Sequence, residues 1–391
     1  MAQVEIQSEL SFLSELYYQD APNARLLAEY PSSNNRETQF WNGTRYIIHD
    51  PFPPPPRELI KILGPHHLMF GWGRSLPVCS EVPPPQRLLD HWENVFGIAG
   101  CPDWQPFDVE SSYITLFPHE SLPAHRQLIH PDINYAIHSK EVIQEINCPQ
   151  AEVLDSIVPP CIVKLSHGYA GLGNFLIHNS SDVTDMRRQL SEHWPHATLV
   201  TNSIIEHIKD DIGVQFYLCR NGKMIWIGLT QQHFDTKKRW CGGVFSADQQ
   251  VDWFDDLCGM IAPVGTHLHE RGYFGLVGID ILKDTSGRMF LVDVNPRLTG
   301  ISPFLMASRI FLRNEGLTEG IYQASLRINA SFEQLIETAE RIKDARVIVL
   351  SAVEEVTVSG KAATICHLSV SSESQNCNQD VLQQILTNCR H

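Results

Sequence analysis

The sequence predicts an α+β protein, because β-hairpin patterns and helical patterns follow one another without a regular strand–helix–strand alternation. Two hairpins carry most of this prediction. One is GVQFYLCRNGKMIWIGLT, with two β-rich runs around Asn221–Gly222, and the other is LVGIDILKDTSGRMFLVDVNP, with its loop at 285–288. The segment between them, QVDWFDDLCGMIAPVGTHLHERG, has helical periodicity.

Composition is that of an ordinary globular protein and disfavours several functional classes. The 391 residues are enough for two or three packed units, with 43% hydrophobic and 19% charged residues. A formal net charge of −15 disfavours general binding to nucleic acid or anionic membranes. No apolar stretch approaches the roughly 20 residues that span a bilayer, no signal-peptide pattern is visible, and the cysteines include no C-x-x-C pair. We therefore expect a cytoplasmic protein with neither nucleic-acid nor membrane partners.

Two proline runs precede predicted helices in the first third of the chain. Four consecutive prolines end at Pro56, which can begin a helix over 57–63, and a second run precedes the helical pattern QRLLDHWENVFG. We interpret the first run as a stiff connector in preference to a partner-binding proline motif. Further along the chain, Ser181 is the predicted N-cap of a helix over 182–194.

The segment FLVDVNPRLTG, residues 290–300, contains the first candidate site. Side chains alternate between the two faces of a strand. One face is expected to carry Asp293 and Asn295, with Arg297 following on the same side after the strand ends at Pro296. The opposite face is expected to carry three apolar residues, Phe290, Val292 and Val294.

The partner strand of this hairpin brings a second acid into the same region. If 285–288 forms the loop, Asp280 lies opposite Asp293, with Cβ atoms roughly 5 Å apart. Two carboxylates at that distance repel each other unless a cation lies between them. Mg²⁺ prefers hard oxygen ligands, and Asn295 supplies a third oxygen. The alternative is a pair of solvated aspartates on an exposed hairpin, but the flanking residues are apolar, which favours a metal site.

A glycine-rich loop forms the second candidate site. CIVKLSHGYAGLGNFLIH has Lys164 at the end of one strand and Gly168, Gly171 and Gly173 before the next. Glycines let backbone N–H groups approach phosphate oxygens, and the lysine can neutralise a phosphate. The spacing is not that of a P-loop, and the segment leads into a strand, which disfavours a Rossmann turn. Two interpretations remain, a flap over phosphates and an ordinary glycine-rich hairpin turn.

The order of these elements resembles that of the ATP-grasp superfamily over residues 125–310. The order comprises a helix-borne lysine, a strand lysine, a glycine loop, an acidic hinge and a metal hairpin that ends in acid-x-Asn-x-Arg. The resemblance implies roles for individual residues of this sequence. By it, the metal ligands are Asp280, Asp293 and Asn295; the ATP-binding residues are Lys140, Lys164, Gly168, Gly171, Gly173, Glu206, His207, Ile208 and Asp211, with Asp210 as the alternative ribose ligand; and the catalytic residues are Arg297 and Lys164.

The resemblance also implies an activity. It implies an ADP-forming ligase that activates a carboxylate as an acyl phosphate and couples it to the amine of an amino acid or short peptide. The expected cofactors are ATP and Mg²⁺, with Mn²⁺ as a substitute, and the expected partners are small-molecule carboxylates and amines. A non-amino-acid acid, a thiol acceptor and a non-catalytic ATP-binding scaffold remain as alternatives. The oligomeric state is open, with a homodimer as one alternative.

Substrate contacts are expected near the end of the metal hairpin. The candidates are Gln231, Gln232, Arg297, Gly300 and Ser302. Trp240 is assigned either to the core or to the wall of the pocket. Two positions depart from the resemblance: Asp293 stands where most ATP-grasp members carry Glu, and Gly278 stands where D-alanine–D-alanine ligases carry an arginine.

The N-terminal third has a finer resemblance. Residues 34–64 are similar to the extra N-terminal domain of peptide ligases of the pheganomycin type, which suggests a role in specialised metabolism. Together the resemblances predict an ATP-grasp fold, in which two α/β subdomains clasp ATP between antiparallel sheets, preceded by an α/β pre-ATP-grasp domain. The predicted domains are 1–124 for the N-terminal domain, 125–210 for the subdomain with the glycine loop, and 211–391 for the subdomain with the metal hairpin.

Overall fold

A computed structural model describes residues 4–7, 9–33, 38–49, 56, 58–168, 173–236, 239–356 and 362–388. The strands in this part of the chain are β1 (Val4–Ile6), β2 (Ala24–Leu27), β3 (Val78–Cys79), β4 (Ser112–Thr115), β5 (Cys161–Leu165), β6 (Asn174–Ile177), β7 (Leu199–Ser203), β8 (Ile208–Leu218), β9 (Met224–Phe234), β10 (Trp240–Ser246), β11 (Gly275–Asp284), β12 (Met289–Asn295), β13 (Glu319–Ile328), β14 (Arg346–Val356) and β15 (Ala362–Ser372). The α-helices are α1 (Leu13–Asp20), α2 (Gly64–Met69), α3 (Gln86–Phe96), α4 (Pro131–Ile137), α5 (Ser180–His193), α6 (Ala247–Asp252), α7 (Phe254–Glu270), α8 (Ser302–Glu315), α9 (Phe332–Arg341) and α10 (Gln375–Asn388).

The largest layer is a nine-stranded sheet. Eight strands follow the order β12-β11-β8-β9-β10-β13-β15-β14, and every neighbouring pair in this order is antiparallel. Strand β1 adds a parallel pair with β9, in which Val4 lies opposite Met224. It occupies a part of β9 that β10 leaves open, because β10 pairs only with residues 231–234. The mixture of helices and antiparallel sheets confirms the predicted α+β class.

Two three-stranded sheets accompany the large one within the described residues. One has the order β3-β2-β4 and is parallel, and the other has the order β6-β5-β7 and is antiparallel. N-terminal segments pack directly onto the large sheet. The backbone N–H of Leu276 donates to Tyr17 Oη (2.9 Å), and the Trp92 indole N–H donates to the carbonyl of Val349 (2.9 Å). The three-domain division stays a prediction, and the pairing of β1 with β9 crosses its first boundary.

Both hairpins form where the sequence predicted them. Strands β8 and β9 turn at 219–223, where Gly222 adopts a φ of +84°, and strands β11 and β12 turn at 285–288, where Gly287 adopts a φ of +87°. Glycine is suited to these left-handed conformations because it lacks a Cβ atom. The β11–β12 register places Asp280 directly opposite Asp293, as expected.

Two helix predictions need correction. The N-cap of α5 is Asn179 rather than Ser181, because the Asn179 side chain accepts the N–H groups of Ser181 and Asp182 while the Asp182 carboxylate accepts the N–H of Asn179. After Pro56, the predicted helix over 57–63 takes the form of a π-helix over Leu59–Leu63, which leads directly into α2. None of the helices in the described ranges has both the length and the apolar character needed to cross a bilayer.

Candidate active site

A cavity of about 720 Å³ runs along the antiparallel three-stranded sheet and the large sheet. Its size suits a small-molecule site. On β5, Cys161 and Val163 are buried in the local core while Ile162 and Lys164 face the cavity, as strand alternation requires. The sequence-predicted residues that line the cavity are Lys140, Lys164, Gly168, Asp211, Gln232, Asp280, Asp293, Asn295, Arg297 and Gly300.

The two aspartates of the β11–β12 hairpin are held by amide side chains. The Nε2 group of Gln232 donates to Asp280 Oδ1 (2.6 Å). The Nδ2 group of Asn295 donates to Asp293 Oδ2 (3.3 Å) and, more weakly, to Asp280 Oδ2 (3.5 Å). Strands β9, β11 and β12 of the large sheet therefore bring these four side chains to one face, and the two acids share the Asn295 amide as a donor.

Two lysines reach the same hairpin. Lys140 begins a short 3₁₀ helix that Ser139 caps, and its ammonium group contacts Asp293 Oδ1 at 2.5 Å. Lys164, on β5, donates to the carbonyl of Val292 (2.9 Å). That carbonyl is accessible because a β-bulge leaves Val292 without a partner between the pairs Asp280–Asp293 and Ile281–Leu291. The bulge thus supplies a backbone acceptor beside the acids.

The same bulge corrects the predicted alternation on β12. Leu291 and Val294 are buried in the core, whereas Val292 lines the cavity with Asp293. Phe290, Val292 and Val294 therefore do not share one buried face. The extra residue shifts the pattern by one position, which strict alternation does not anticipate.

The electrostatics of the two acids differ. Burial and the Asp293 carboxylate raise the pKa of Asp280 to about 7. Burial also raises the pKa of Asp293, but Lys140 and Lys164 outweigh burial and hold that pKa below its ordinary value. Added positive charge would relieve the repulsion between the two carboxylates, so the oxygen donors suit a hard divalent cation. No group of three His, Cys, Asp or Glu side chains in the described ranges could hold a metal, so a cation here would take its further oxygens from Asn295, water or a phosphate.

Arg297 lies just beyond the acids. Its NH1 group donates to Asn295 Oδ1 (2.5 Å), and its guanidinium carbon lies 4.7 Å from the centre of the Phe117 ring. Burial lowers the pKa of Arg297 from its ordinary value, yet an arginine stays protonated in proteins. The guanidinium is therefore a fixed positive charge where the metal hairpin opens into the rest of the cavity.

The crossing from β7 to β8 is the predicted adenine hinge. Ser203, Ile204 and Ile205 line the cavity there. Glu206 and His207 do not, and their side chains are 75% and 80% exposed. Ile208, the first residue of β8, is also exposed and outside the lining. The structure thus brings the residues before the predicted hinge acid to the cavity, and the roles of Glu206, His207 and Ile208 stay predictions.

Strand alternation separates the paired candidates on β8 and β9. Asp211 and Gln232 line the cavity. Asp210 and Gln231 do not, and the Nε2 group of Gln231 donates to Asp210 Oδ1 (3.2 Å). Burial raises the pKa of Asp211 to about 6. The geometry favours Asp211 over Asp210 as the ribose ligand, and Gln232 over Gln231 as the substrate contact.

The three glycines of the predicted phosphate loop have different positions. Gly168 lines the cavity after the end of β5. Gly173 has a φ of +80° and packs on Leu165, where a Cβ atom would lie 2.4 Å from Leu165 Cδ1. Gly173 therefore serves the β5–β6 connection and is outside the cavity lining. Gly171 lies outside the described residues.

Ser302, a predicted substrate contact, is fully buried and does not line the cavity. Its hydroxyl donates to Gln215 Oε1 (2.9 Å), and the hydroxyl of Thr299 donates to the same oxygen (3.2 Å). Gly278 makes room for this arrangement, because a Cβ atom there would lie 2.5 Å from Gln215 Nε2. Gln215 thus fixes the backbone that follows Arg297, a role that the sequence did not reveal.

Four residues at the far end of the cavity were missed by sequence reasoning: His67, Tyr322, Ser325 and His367. Trp240, which the sequence left undecided, also lines this end. These residues come from α2, β10, β13 and β15, which are distant in sequence, so no local spacing connects them. The π-helix Leu59–Leu63 also lines this cavity.

Comparisons with known proteins agree with this geometry. Residues 140–295 match the family model of an ATP-grasp L-aspartate–L-methionine ligase. A curated relative, the butirosin acyl-carrier protein–L-glutamate ligase of Niallia circulans, is 20% identical over 286 residues, which cover 64% of this chain and 68% of that protein.

Solved structures extend the likeness over most of the chain. An N5-carboxyaminoimidazole ribonucleotide synthetase in complex with ADP has a TM-score of 0.53 and 10% identity, over 82% of this chain and 93% of that chain. The corresponding Staphylococcus aureus synthetase, also complexed with ADP, has a TM-score of 0.52 and 11% identity, over 81% and 91%. These comparisons confirm the predicted ATP-grasp fold and the resemblance to ATP-grasp ligases. The similarity to pheganomycin-type ligases stays a prediction.

Proposed function

Because the chain carries an ATP-grasp domain of the ligase type, we propose that it is an ATP- and Mg²⁺-dependent ligase for small-molecule substrates. In this proposal it activates a carboxylate as an acyl phosphate and couples it to an amine, such as that of an amino acid or short peptide. The products are an amide, ADP and phosphate. The family match and the geometry of the cavity support the proposal.

The observation that carries the proposal is the convergence of three cations and two acids on one cavity. Lys140, Lys164 and Arg297 reach it from three separate elements, and Asp280 and Asp293 face it from one hairpin. Transfer of a phosphoryl group needs positive charge placed in advance around the phosphate oxygens. A pair of solvated aspartates on an exposed hairpin would not require two half-buried lysines beside it.

The nucleotide and the metal have candidate ligands in this arrangement. Asp280, Asp293 and Asn295 would hold Mg²⁺, which, when bound, neutralises charge on phosphate oxygens. Lys140, Lys164 and the backbone of Gly168 would hold the phosphates, and Asp211 the ribose. Apolar side chains from both sheets would enclose the adenine near the β7–β8 crossing, among them Ile162, Leu176, Ile205 and Leu282. The two synthetases of similar fold were solved with ADP, which supports a nucleotide in this cavity.

The proposed reaction has two steps. A carboxylate oxygen of the acid attacks the γ-phosphorus of ATP, and ADP leaves. The amine nitrogen then attacks the acyl carbon, the bond from that carbon to the phosphate oxygen breaks, phosphate leaves and the nitrogen loses a proton. Arg297 stabilises the negative charge on the acyl phosphate and on the tetrahedral species. The apolar lining limits access of water, which would hydrolyse the acyl phosphate.

The direct test is ADP release from Mg–ATP against a panel of amino acids and dipeptides, supplied singly and in pairs. Release that appears only with a particular acid and amine supports the proposal and identifies the substrates. Tight binding of ATP with no release in any mixture contradicts it and favours an ATP-binding protein without turnover.

A matched pair of variants links turnover to the cavity. In Lys164→Met the stem of the side chain is kept and the charge is lost, so we expect ATP turnover to be abolished with the thermal unfolding transition retained. Lys343→Met is the control, because Lys343 is exposed, lies outside the cavity lining and donates to the carbonyl of Glu340. Unchanged turnover in Lys164→Met would contradict the proposed site.

A further inference from the structure

The end of the cavity beyond Arg297 has no part in the phosphoryl transfer proposed above. Apolar side chains of the π-helix Leu59–Leu63 line it. Four rings, those of His67, Trp240, Tyr322 and His367, line it as well, and we call them the aromatic wall. Among the described residues that line this end, none is an aspartate, glutamate or lysine, and Arg297 at its entrance supplies the positive charge.

The rings of the aromatic wall form one continuous surface. The ring centre of His67 lies 4.5 Å from that of His367 and 5.4 Å from that of Tyr322. Trp240 extends the surface, with its ring centre 5.9 Å from that of Tyr322. These separations are those of rings in van der Waals contact, so the wall is a preformed apolar surface.

Three polar groups of the wall are directed at the protein. His67 Nε2 lies 2.5 Å from the carbonyl of Gly300, and a carbonyl can only accept, so this nitrogen carries the hydrogen. The Tyr322 hydroxyl lies 2.6 Å from His367 Nδ1. His67 Nε2, the Tyr322 hydroxyl and His367 Nδ1 are therefore already paired with one another or with the backbone.

The backbone of residues 299–301 joins the wall to the charged end. Gly300 binds His67 through its carbonyl, and a Cβ atom on Gly300 would lie 3.3 Å from the Trp240 ring. Arg297 is only three residues earlier in the chain. A carboxylate held by Arg297 therefore lies beside the start of the wall.

We propose that the aromatic wall binds the uncharged, apolar or aromatic body of the acid substrate, so that the acyl donor is a hydrophobic carboxylic acid rather than an acidic or basic amino acid. This inference rests on the proposed ligase function. The carboxylate must meet the phosphate at the charged end, which the nucleotide occupies. The rest of the acid then extends past Arg297 along the wall, where a charge on the body of the acid would be buried without a partner.

Hydroxylamine trapping tests the inference without knowledge of the amine substrate. The hydroxylamine nitrogen attacks the acyl carbon of the acyl phosphate, phosphate leaves, the nitrogen loses a proton and a hydroxamate forms. The full chain, with Mg–ATP and hydroxylamine, is supplied separately with leucine, phenylalanine, 3-phenylpropanoate, aspartate, glutamate or lysine. We expect hydroxamate from at least one apolar acid, at a kcat/KM at least about 10²-fold above that for aspartate, glutamate or lysine, as expected when a charge enters an apolar pocket.

The other outcomes separate this inference from the function on which it rests. Hydroxamate formed from aspartate, glutamate or lysine at a comparable or greater rate overturns the assignment of the wall and leaves the ligase function intact. The absence of both hydroxamate and ADP release with every acid overturns the ligase function, and the inference with it.

A matched pair of tryptophan variants tests whether the aromatic wall binds the acid. Trp240→Ala removes a ring of the wall, and we expect the KM of the preferred acid to rise about tenfold or more, with the KM of ATP changed less than about twofold. Trp253→Ala is the control, because Trp253 is also half-buried but packs against Lys283 away from the cavity. Trp240→Leu replaces Trp240→Ala if the latter does not fold. A KM for the acid equal to wild type in a folded Trp240 variant overturns the inference.

Discussion

The charged end and the aromatic wall of one cavity are built on different principles. At the charged end, donors and acceptors from Lys140 to Arg297 meet at 2.5–3.5 Å. In the aromatic wall, ring centres are 4.5–6.0 Å apart. A charge network fails when one member loses its charge, whereas ring packing weakens in proportion to the lost surface. We therefore expect changes at the charged end to remove the reaction, and changes at the wall to alter which acid is used.

The largest effect should come from Asp293→Asn, which keeps the size of the side chain and removes its charge. We expect kcat for ADP release to fall about 10³-fold, because the partner of Lys140 and one of two carboxylates for a cation are lost together. Asp248→Asn on α6 is the control, because Asp248 is exposed and far from the cavity lining. A kcat for ADP release within tenfold of wild type would contradict the expectation that changes at the charged end remove the reaction.

A smaller effect is expected from Arg297→Lys, which keeps the charge and removes the planar donor geometry. We expect kcat to fall about 10²-fold with the KM of ATP almost unchanged, because the guanidinium acts on the acyl group. Arg309→Lys is the matched control, since Arg309 is half-buried and donates to the carbonyls of Gln7 and Ile227 outside the cavity. Equal losses of kcat in both variants would point to lost stability as the cause.

Gly278→Ala tests the backbone that joins the two ends. The added Cβ atom would lie 2.5 Å from Gln215 Nε2 and 2.9 Å from Thr299 Cγ2, so Gln215 must move. We expect about 1–3 kcal/mol of lost stability and a rise of about tenfold in the KM of the acid, with the KM of ATP unchanged. Gly259→Ala on α7 is the control, because nothing lies within 4 Å of its new Cβ atom. An increase in the KM of ATP alone would contradict the link to the wall.

The smallest effect is expected from pH acting on the wall. Burial lowers the pKa of His67 to about 4 and that of His367 well below its ordinary value, and burial raises the pKa of Tyr322 well above its own. These three groups face one another and the carbonyl of Gly300, and none changes charge between about pH 6 and 9. The KM of an apolar acid at saturating Mg–ATP should therefore vary less than about twofold over that range.

The same shifts fix the sign of their effect on stability. His67 stays neutral in the folded state down to about pH 4, whereas in the unfolded chain it binds a proton below about pH 6.5. Its contribution to the free energy of unfolding therefore falls as the pH drops from about 6.5 to about 4, and changes no further below that. Urea unfolding at pH 7 and pH 5 measures this loss. A tenfold rise in the KM of the acid between pH 8 and pH 6 would contradict the prediction that binding of the acid is independent of pH in this range.

The contrast between the two ends also explains what the sequence could predict. The two acids of the charged end lie on one hairpin whose loop is visible in the sequence, so the opposition of Asp280 and Asp293 follows from counting residues. Side-chain alternation likewise places Asp211 and Asp210 on opposite faces of β8, once the strand is known. The bulge at Val292 was missed because an extra residue in one strand changes no local composition. It is seen only when the partner strand fixes the register.

The aromatic wall was beyond sequence reasoning for a different reason. His67, Trp240, Tyr322 and His367 lie on four elements. The order of strands in the large sheet brings β10, β13 and β15 together, and tertiary packing adds α2 with His67. The helix after the first proline run was placed nearly correctly, but its π geometry and its position at the cavity depend on tertiary packing. The choice of Asn179 over Ser181 as a cap was decided by the return contact from Asp182, which single-residue preferences do not include.

The parallel pairing of β1 with β9 has a consequence for synthesis of the chain. Val4 lies opposite Met224, so the first strand is made 220 residues before its partner. At about 5–20 residues per second, that separation corresponds to a delay of about 10 to 45 s. During this time the N-terminal strand lacks its β9 partner, and a pairing between segments so distant in sequence is expected to form slowly. Limited proteolysis of chains stalled before and after residue 234 would show β1 becoming protected only in the longer chains.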